Sequence, residues 1–130
     1  MADSMRFDLV TPEKSLASLQ ASAVDIPGAE GDMTAMPDHA SLLTTLRPGF
    51  LRVQSDGPAS EYLVTGGFVE ITALSVSVLA ETVVPKDEAT REQVAEFTAA
   101  AEEELSKSSG AEKDLAEKRL GEFRALAATF

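Results

Sequence analysis

The chain's only histidine, His39, stands beside Asp38 and two positions before Ser41. Imidazole, carboxylate and hydroxyl are the parts of a nucleophilic triad, in which the acid orients the base and the base activates the hydroxyl. No G-x-S-x-G turn presents Ser41 as a nucleophile, and that strained turn is what usually exposes such a serine. A structural or interface histidine is therefore the expected role. Glu30, Asp32, Asp38 and His39 also offer oxygen and nitrogen donors. Their spacing matches neither a zinc site nor an EF-hand loop, so solvated or partner-facing acids are the simpler reading. The glycines form no G-x-x-x-x-G-K-[ST] or G-x-G-x-x-G cradle for phosphate. Met33 and Met36 occupy the same stretch, with Leu42, Leu43 and Leu46 after them. Methionine adapts to irregular surfaces, so these residues fit either core packing or a soft apolar contact patch.

The whole chain sets limits on those side chains. Its 130 residues suffice for one compact domain, or for a smaller domain with an appendage. The 22 acidic residues against 11 lysines and arginines give a formal charge of -11, which repels phosphate backbones and anionic lipid. Nucleic acid is not an expected partner. With no cysteine, disulfides, thiolate metal sites and cysteine nucleophiles are excluded. The opening MADSMRFDLV lacks the basic and apolar regions of a signal peptide, and no apolar run is long enough to enter a membrane directly.

Texture changes near Pro85. All six prolines and six of the eight glycines lie at or before it, and the remainder is rich in Ala, Glu and Lys. The reading is mainly β, with a β domain over 1–85 and a two-helix domain over 86–130. Strands are expected at 6–11, within 16–26 and ending before Pro27, and at 51–55, 61–65, 68–72 and 75–80. In SVSVLA, Val76 and Val78 share one face while Ser75 and Ser77 share the other. Many short strands suggest a small sandwich or flattened barrel. The first helix is expected over about 88–106, with Val94, Phe97, Thr98, Ala101 and Leu105 on one face. Ser109 and Glu112 fit a capping box opening a second helix. Leu115, Ala116, Leu120, Phe123, Leu126, Ala127 and Phe130 are expected to line its inner side. A short loop makes the two antiparallel.

Four stretches, in order, carry a family resemblance: FDLVTPE at 7–13, IPGAEGDMTAMPDHASLLTTLRPG at 26–49, GGFVEI at 66–71 and VSVLAE at 76–81. With the helical hairpin after them, the chain resembles the epsilon subunit of F-type ATP synthases, called delta in mitochondria. The resemblance implies a ten-stranded β-sandwich followed by two helices. It implies a non-catalytic place in the rotor, between the gamma subunit and the c-ring, on the cytoplasmic side of a bacterial inner membrane. The alpha and beta subunits are implied as further partners of the helices, which in many bacterial members restrain ATP hydrolysis. A mainly inhibitory module is thus an alternative emphasis. An enzyme built on His39 would instead turn over alone and fail as His39→Ala.

On the same resemblance, Asp32 matches an acid that lies against the c-ring loops. Glu30 belongs to that loop, and His39 matches the histidine of a P-x-H-A segment near the same end of the sandwich. Glu30, Asp32, Met33, Met36, His39 and Leu42 are the expected interface residues. Thr34 stands where many members have glycine. Some members bind ATP through a D-x-x-R-A pattern, but here Asp87 and Arg91 are four apart and no alanine follows. No cofactor is expected.

Overall fold

A computed structural model of the chain describes residues 4–130. Ten strands form one continuous hydrogen-bonded sheet that curls on itself, and two helices follow. The chain divides into two compact units, one ending at Lys86 and the other spanning Asp87–Phe130.

The first unit is built on alternation. In β1 (Met5–Val10), Met5, Phe7 and Leu9 point inward and are buried. In β9 (Ser75–Ala80), Val76, Val78 and Ala80 do the same, with Ser77 and Leu79 outside. Val69 and Ile71 of β8 (Gly67–Ile71) and Leu51 and Val53 of β6 (Gly49–Gln54) fill the same core. β1 runs parallel to β9 and antiparallel to β2 (Ser15–Ala21). Each buried aliphatic or aromatic side chain contributes about 1.5–3 kcal/mol, and the two-residue period decides which ones are buried.

The expected second strand divides at Ser22 into β2 and β3 (Ala23–Gly28). β3 continues through Pro27, two residues beyond the expected stop. A proline is tolerated there because β3 changes neighbours at that point. Its last pair with β6 is Asp25–Arg52, and its pair with β5 (Leu42–Leu46) is Gly28–Leu46. The missing N–H therefore costs no ladder bond on that side, while the Pro27 carbonyl accepts from Arg47 N at 3.0 Å.

β4 (Gly31–Ala35) and β5 lie where the residues alone pointed to no strand. β4 pairs with β3 across a tight turn at Ala29–Glu30, and β5 pairs along its whole length with β8. Beside β6 lie β7 (Ser60–Val64) and the short β10 (Val83–Pro85). Gly67 has φ +138, and a Cβ there would meet the Leu79 carbonyl oxygen at 2.0 Å. Only glycine admits that backbone and that approach.

The second unit begins with helix α1 (Arg91–Lys107), three residues later than expected. A single 3-10 turn occupies Lys86–Glu88. Thr90 then caps α1: its hydroxyl accepts from Gln93 N at 3.2 Å, and Gln93 Oε1 accepts from Thr90 N at 2.8 Å. That reciprocal pair is the capping box. The box expected at Ser109 and Glu112 does not form. Gly110, at φ 62, is the N-cap of α2 (Ala111–Ala127) and has no side-chain cap bond. The neighbouring Ser108 instead donates to the Glu104 carbonyl at 2.7 Å, closing the end of α1. Phe97, Ala101 and Leu105 meet Leu120 and Phe123, with the two rings 6.0 Å apart. Leu115 is 69% exposed rather than inward. The buried stripe of α2 runs through Ala116, Leu120 and Phe123, and Leu115 lies about 100° to the side of it.

Candidate functional site

The six expected interface residues do not gather in one place. β4 separates them, and its five residues span about 16 Å at the usual strand rise. Glu30 and Asp32 stand at the β3–β4 turn. Met36, His39 and Leu42 stand at the other end, where Asp38 N donates to the Ala73 carbonyl of the β8–β9 turn at 2.8 Å. His39 and Asp32 were expected near the same end of the sandwich. The hairpin corrects this, because β4 runs as an extended strand between them and carries them to opposite ends.

At the first end, Asp32 is 82% exposed yet paired with the Arg47 guanidinium. Arg47 also donates to the Gly28 carbonyl at 2.6 Å. One cation thus ties the β3–β4 turn to the segment entering β6. Glu30 is exposed beside it. Met33 faces the other way and packs against the core. At the second end, His39 Nδ1 lies 2.6 Å from the Ala40 carbonyl, a local contact that requires a ring N–H there. Met36 and Leu42 are exposed, with Leu74 beside them on the β8–β9 turn. Among the described residues, no three His, Cys, Asp or Glu side chains come together to hold a metal ion.

A larger feature escaped the sequence reading. On the outer face of β5, β8 and β9, Leu43 is 68% exposed, Phe68 55% and Leu79 47%. The register places Phe68 between Thr45 and Leu79, with Val10 of β1 following in the same row. Leu43 stands opposite Glu70 in the next row. Direct cross-strand neighbours such as Phe68 and Leu79 have Cβ atoms about 5 Å apart, and Leu43 is the diagonal neighbour of Phe68 at about 7–8 Å, so the three form one apolar patch. The signal was present in parity: Leu79 falls on the serine face of SVSVLA.

That face is bordered by a charged pair. Arg6 Nε donates to Asp8 Oδ2 at 2.9 Å, and Arg6 also reaches the Ser18 hydroxyl at 3.1 Å. The Arg6 bond, reinforced by a bond from Ser18, holds the Asp8 carboxyl below the usual carboxylate range.

Comparison with known proteins agrees with this architecture. Residues 4–86 match the model of the family described as ATP synthase, Delta/Epsilon chain, beta-sandwich domain. An ATP synthase epsilon chain of Cereibacter sphaeroides is 50% identical over 129 residues, covering 99% of this chain and 98% of that one. An ATP synthase epsilon chain of Ruegeria is 66% identical over 97 residues, covering 75% of this chain and 71% of the other. Among solved structures, a chain of the Euglena gracilis mitochondrial ATP synthase superposes with a TM-score of 0.75 at 23% identity, covering 99% of this chain and 82% of its own length. At that identity the likeness speaks for the fold. The sandwich match together with near full-length identity to several epsilon chains places the protein: it belongs to the ATP synthase Delta/Epsilon chain family.

Proposed function

We propose that the outer face carrying Leu43, Phe68 and Leu79 receives the gamma subunit, and that the β3–β4 turn with Glu30 and Asp32 meets the c-ring. The chain is a non-catalytic subunit of ATP synthase, and the central stalk is where its relatives' fold is found. No helix among the described residues is long and apolar enough to cross a membrane. A peripheral position on the cytoplasmic side of a bacterial inner membrane, held by protein partners, is the finer reading.

The observation that carries it is the exposed apolar patch on the outer face of the sheet. Apolar groups exposed together, rather than singly, mark protein contacts. Met36, His39 and Leu42 lie toward the Leu43 end of that face and extend the gamma contact. The acids lie at the far end of β4, which suits a body held between two partners. A preorganised hairpin lowers the ordering cost of a contact that must carry torque. Met33, turned to the core, supports the turn from beneath.

The two units divide the work: the sandwich up to Lys86 couples gamma to the c-ring, and the hairpin modulates hydrolysis through the alpha and beta subunits. Exposed Leu115 on α2 favours a partner for the hairpin as well. Neither a cofactor nor nucleic acid enters this reading.

The test is co-purification of the full chain with gamma, comparing the native protein with Phe68→Asp. A well-packed aromatic anchor contributes about 2 kcal/mol or more to an interface, so binding falls by about thirtyfold. The isolated variant melts as the native protein does. Undiminished gamma binding by a folded Phe68→Asp would move the gamma contact elsewhere.

A further inference from the structure

The β3–β4 turn is tied at several points to the corner between β5 and β6. Ala29 N donates to the Thr45 carbonyl at 2.9 Å, and Arg47 N donates to the Pro27 carbonyl at 3.0 Å. The Arg47 guanidinium adds two more ties. One nitrogen donates to the Gly28 carbonyl at 2.6 Å, and another donates to the Asp32 carboxylate. Turn and corner lie so close that a Cβ on Gly49 would stand 2.9 Å from the Pro27 Cβ. Arg47 therefore holds both arms of the hairpin, Gly28 at the end of β3 and Asp32 near the start of β4.

Folding stability does not account for this arrangement. Asp32 is largely exposed, and a carboxylate so open to water adds little to folding when it pairs. The guanidinium is mostly covered, with its planar donors aimed at acceptors on two different strands. What the geometry supplies is position. β4 pairs with β3 alone. Without the Arg47 side chain, β4 would hang on that single ladder, and only two backbone bonds would hold the turn to the corner. β5 carries the tie onward. Its Leu46 pairs with Gly67 and its Thr45 with Phe68, both on β8. The turn is thus joined through two strands to the apolar face.

We infer that Arg47 is a positioning residue for torque transfer. It clasps both arms of the β3–β4 hairpin to the β5–β6 corner, so that force on the turn passes into β5 and β8 instead of bending the hairpin. The inference rests on the reading that this turn meets the c-ring and that the apolar face meets gamma. Arginine is required rather than lysine. An ammonium supplies the charge for Asp32, but it has no planar fork to hold that carboxylate and the Gly28 carbonyl in fixed directions at once. Each tie removes a direction in which the turn can swing, and order made in advance need not be made under load. The effect of losing Arg47 therefore falls on coupling and leaves gamma binding alone.

Two measurements on the full chain test it. The first follows amide hydrogen exchange in the native protein, Arg47→Lys and Arg47→Ala. The Ala29 amide is expected to exchange about fivefold to tenfold faster in Arg47→Ala, and less so in Arg47→Lys. The Thr11 and Thr72 amides, bonded in other turns, keep their native rates. An unchanged Ala29 rate, or equal acceleration at all three amides, would overturn the inference. In the second, ATP synthase is reconstituted with the native chain, Arg47→Ala, Arg47→Lys or Asp32→Arg. Proton-driven ATP synthesis is compared with ATP hydrolysis and with gamma binding. With Arg47→Ala, gamma binding and hydrolysis stay native while synthesis falls by about fivefold, as for one lost charge-assisted contact. Arg47→Lys recovers only part of it. Full recovery by Arg47→Lys would reduce Arg47 to a counter-charge and overturn the clasp. Native synthesis in Arg47→Ala, with Asp32→Arg impaired, would remove Arg47 from coupling. Native synthesis in Asp32→Arg would instead strike the reading of the turn as the c-ring contact, and the inference would fall with it.

Discussion

The two outer faces of the sandwich solve the problem of exposure in opposite ways. On β5, β8 and β9, Leu43, Phe68 and Leu79 leave apolar surface in water. On β4, β3, β6 and β7, the cross-strand positions are filled by Thr34, Asp25, Arg52 and Glu61. Both faces rest on the same core, and both are generated by the same two-residue period. An apolar face gains by losing water and asks mainly for shape. A charged row gains little net energy, and its alternating signs face one another across the strands. The comparison teaches that one period of alternation can leave one side of a small sheet apolar and the other charged.

The most disruptive way to break the contrast is to move the backbone beneath the apolar face. Gly67→Ala places a methyl against the Leu79 carbonyl and forces a backbone that alanine resists. A loss of about 3 kcal/mol is expected, read as a lower midpoint of denaturation, with gamma binding weakened because Phe68 and Leu79 part. A variant as stable as the native chain would mean that β8 and β9 separate easily.

A gentler change leaves the fold intact and trims the patch. Leu79→Ala shortens a side chain that is 47% exposed, so stability should change by about 0.5 kcal/mol or less. Binding to gamma should fall by about fivefold, reflecting about 1 kcal/mol of lost contact area. Equal losses in stability and in binding would show that Leu79 supports the sheet rather than the interface.

At the far end of β4, Asp32→Arg opposes Arg47 with a like charge and breaks its ion pair. The pair is largely exposed, so the isolated fold should lose no more than about 1 kcal/mol. Coupling of hydrolysis to proton movement should suffer more than binding to gamma, since the two contacts lie at opposite ends. Loss of gamma binding with coupling retained would reverse the assignment of the ends.

The smallest expected effect belongs to the charged border of the apolar face. Because the Asp8 carboxyl titrates below its unfolded value, the folded state binds its proton less readily than the unfolded state does. Its stabilising contribution is complete above the unfolded carboxylate pKa of about 4 and is lost as pH falls through the lower folded value. Comparing native protein with Asp8→Asn, the difference in melting temperature should be present at neutral pH and shrink in acid. A difference that grows in acid would contradict the Arg6 contact.

Individual residues show how far the sequence could be read. The inward valines of β9 and the Phe97 stripe of α1 were legible because burial follows period. Ser109 misled because a local capping pattern competes with chain direction: Gly110 already supplies the positive φ that turns the chain between the helices. β4 and β5 were hidden because their apolar residues do not alternate cleanly. Leu42 and Leu43 are both exposed, so no pattern of inside and outside announced a strand. The resemblance set His39 near the end that holds Asp32, and the motif by itself does not reveal that β4 intervenes as an extended segment.

The sequence by itself determined the acidic balance, the absence of thiol chemistry, the β-then-helix order and the family. These follow from composition, periodicity and motif, all of which are local in the chain. The tertiary structure alone decided which residues share a surface. Leu43, Phe68 and Leu79 become one patch, and Asp25, Arg52 and Glu61 one row, only when strands far apart in sequence are brought into register. Hydrogen-bonded register is a relation between segments, and no single segment contains it.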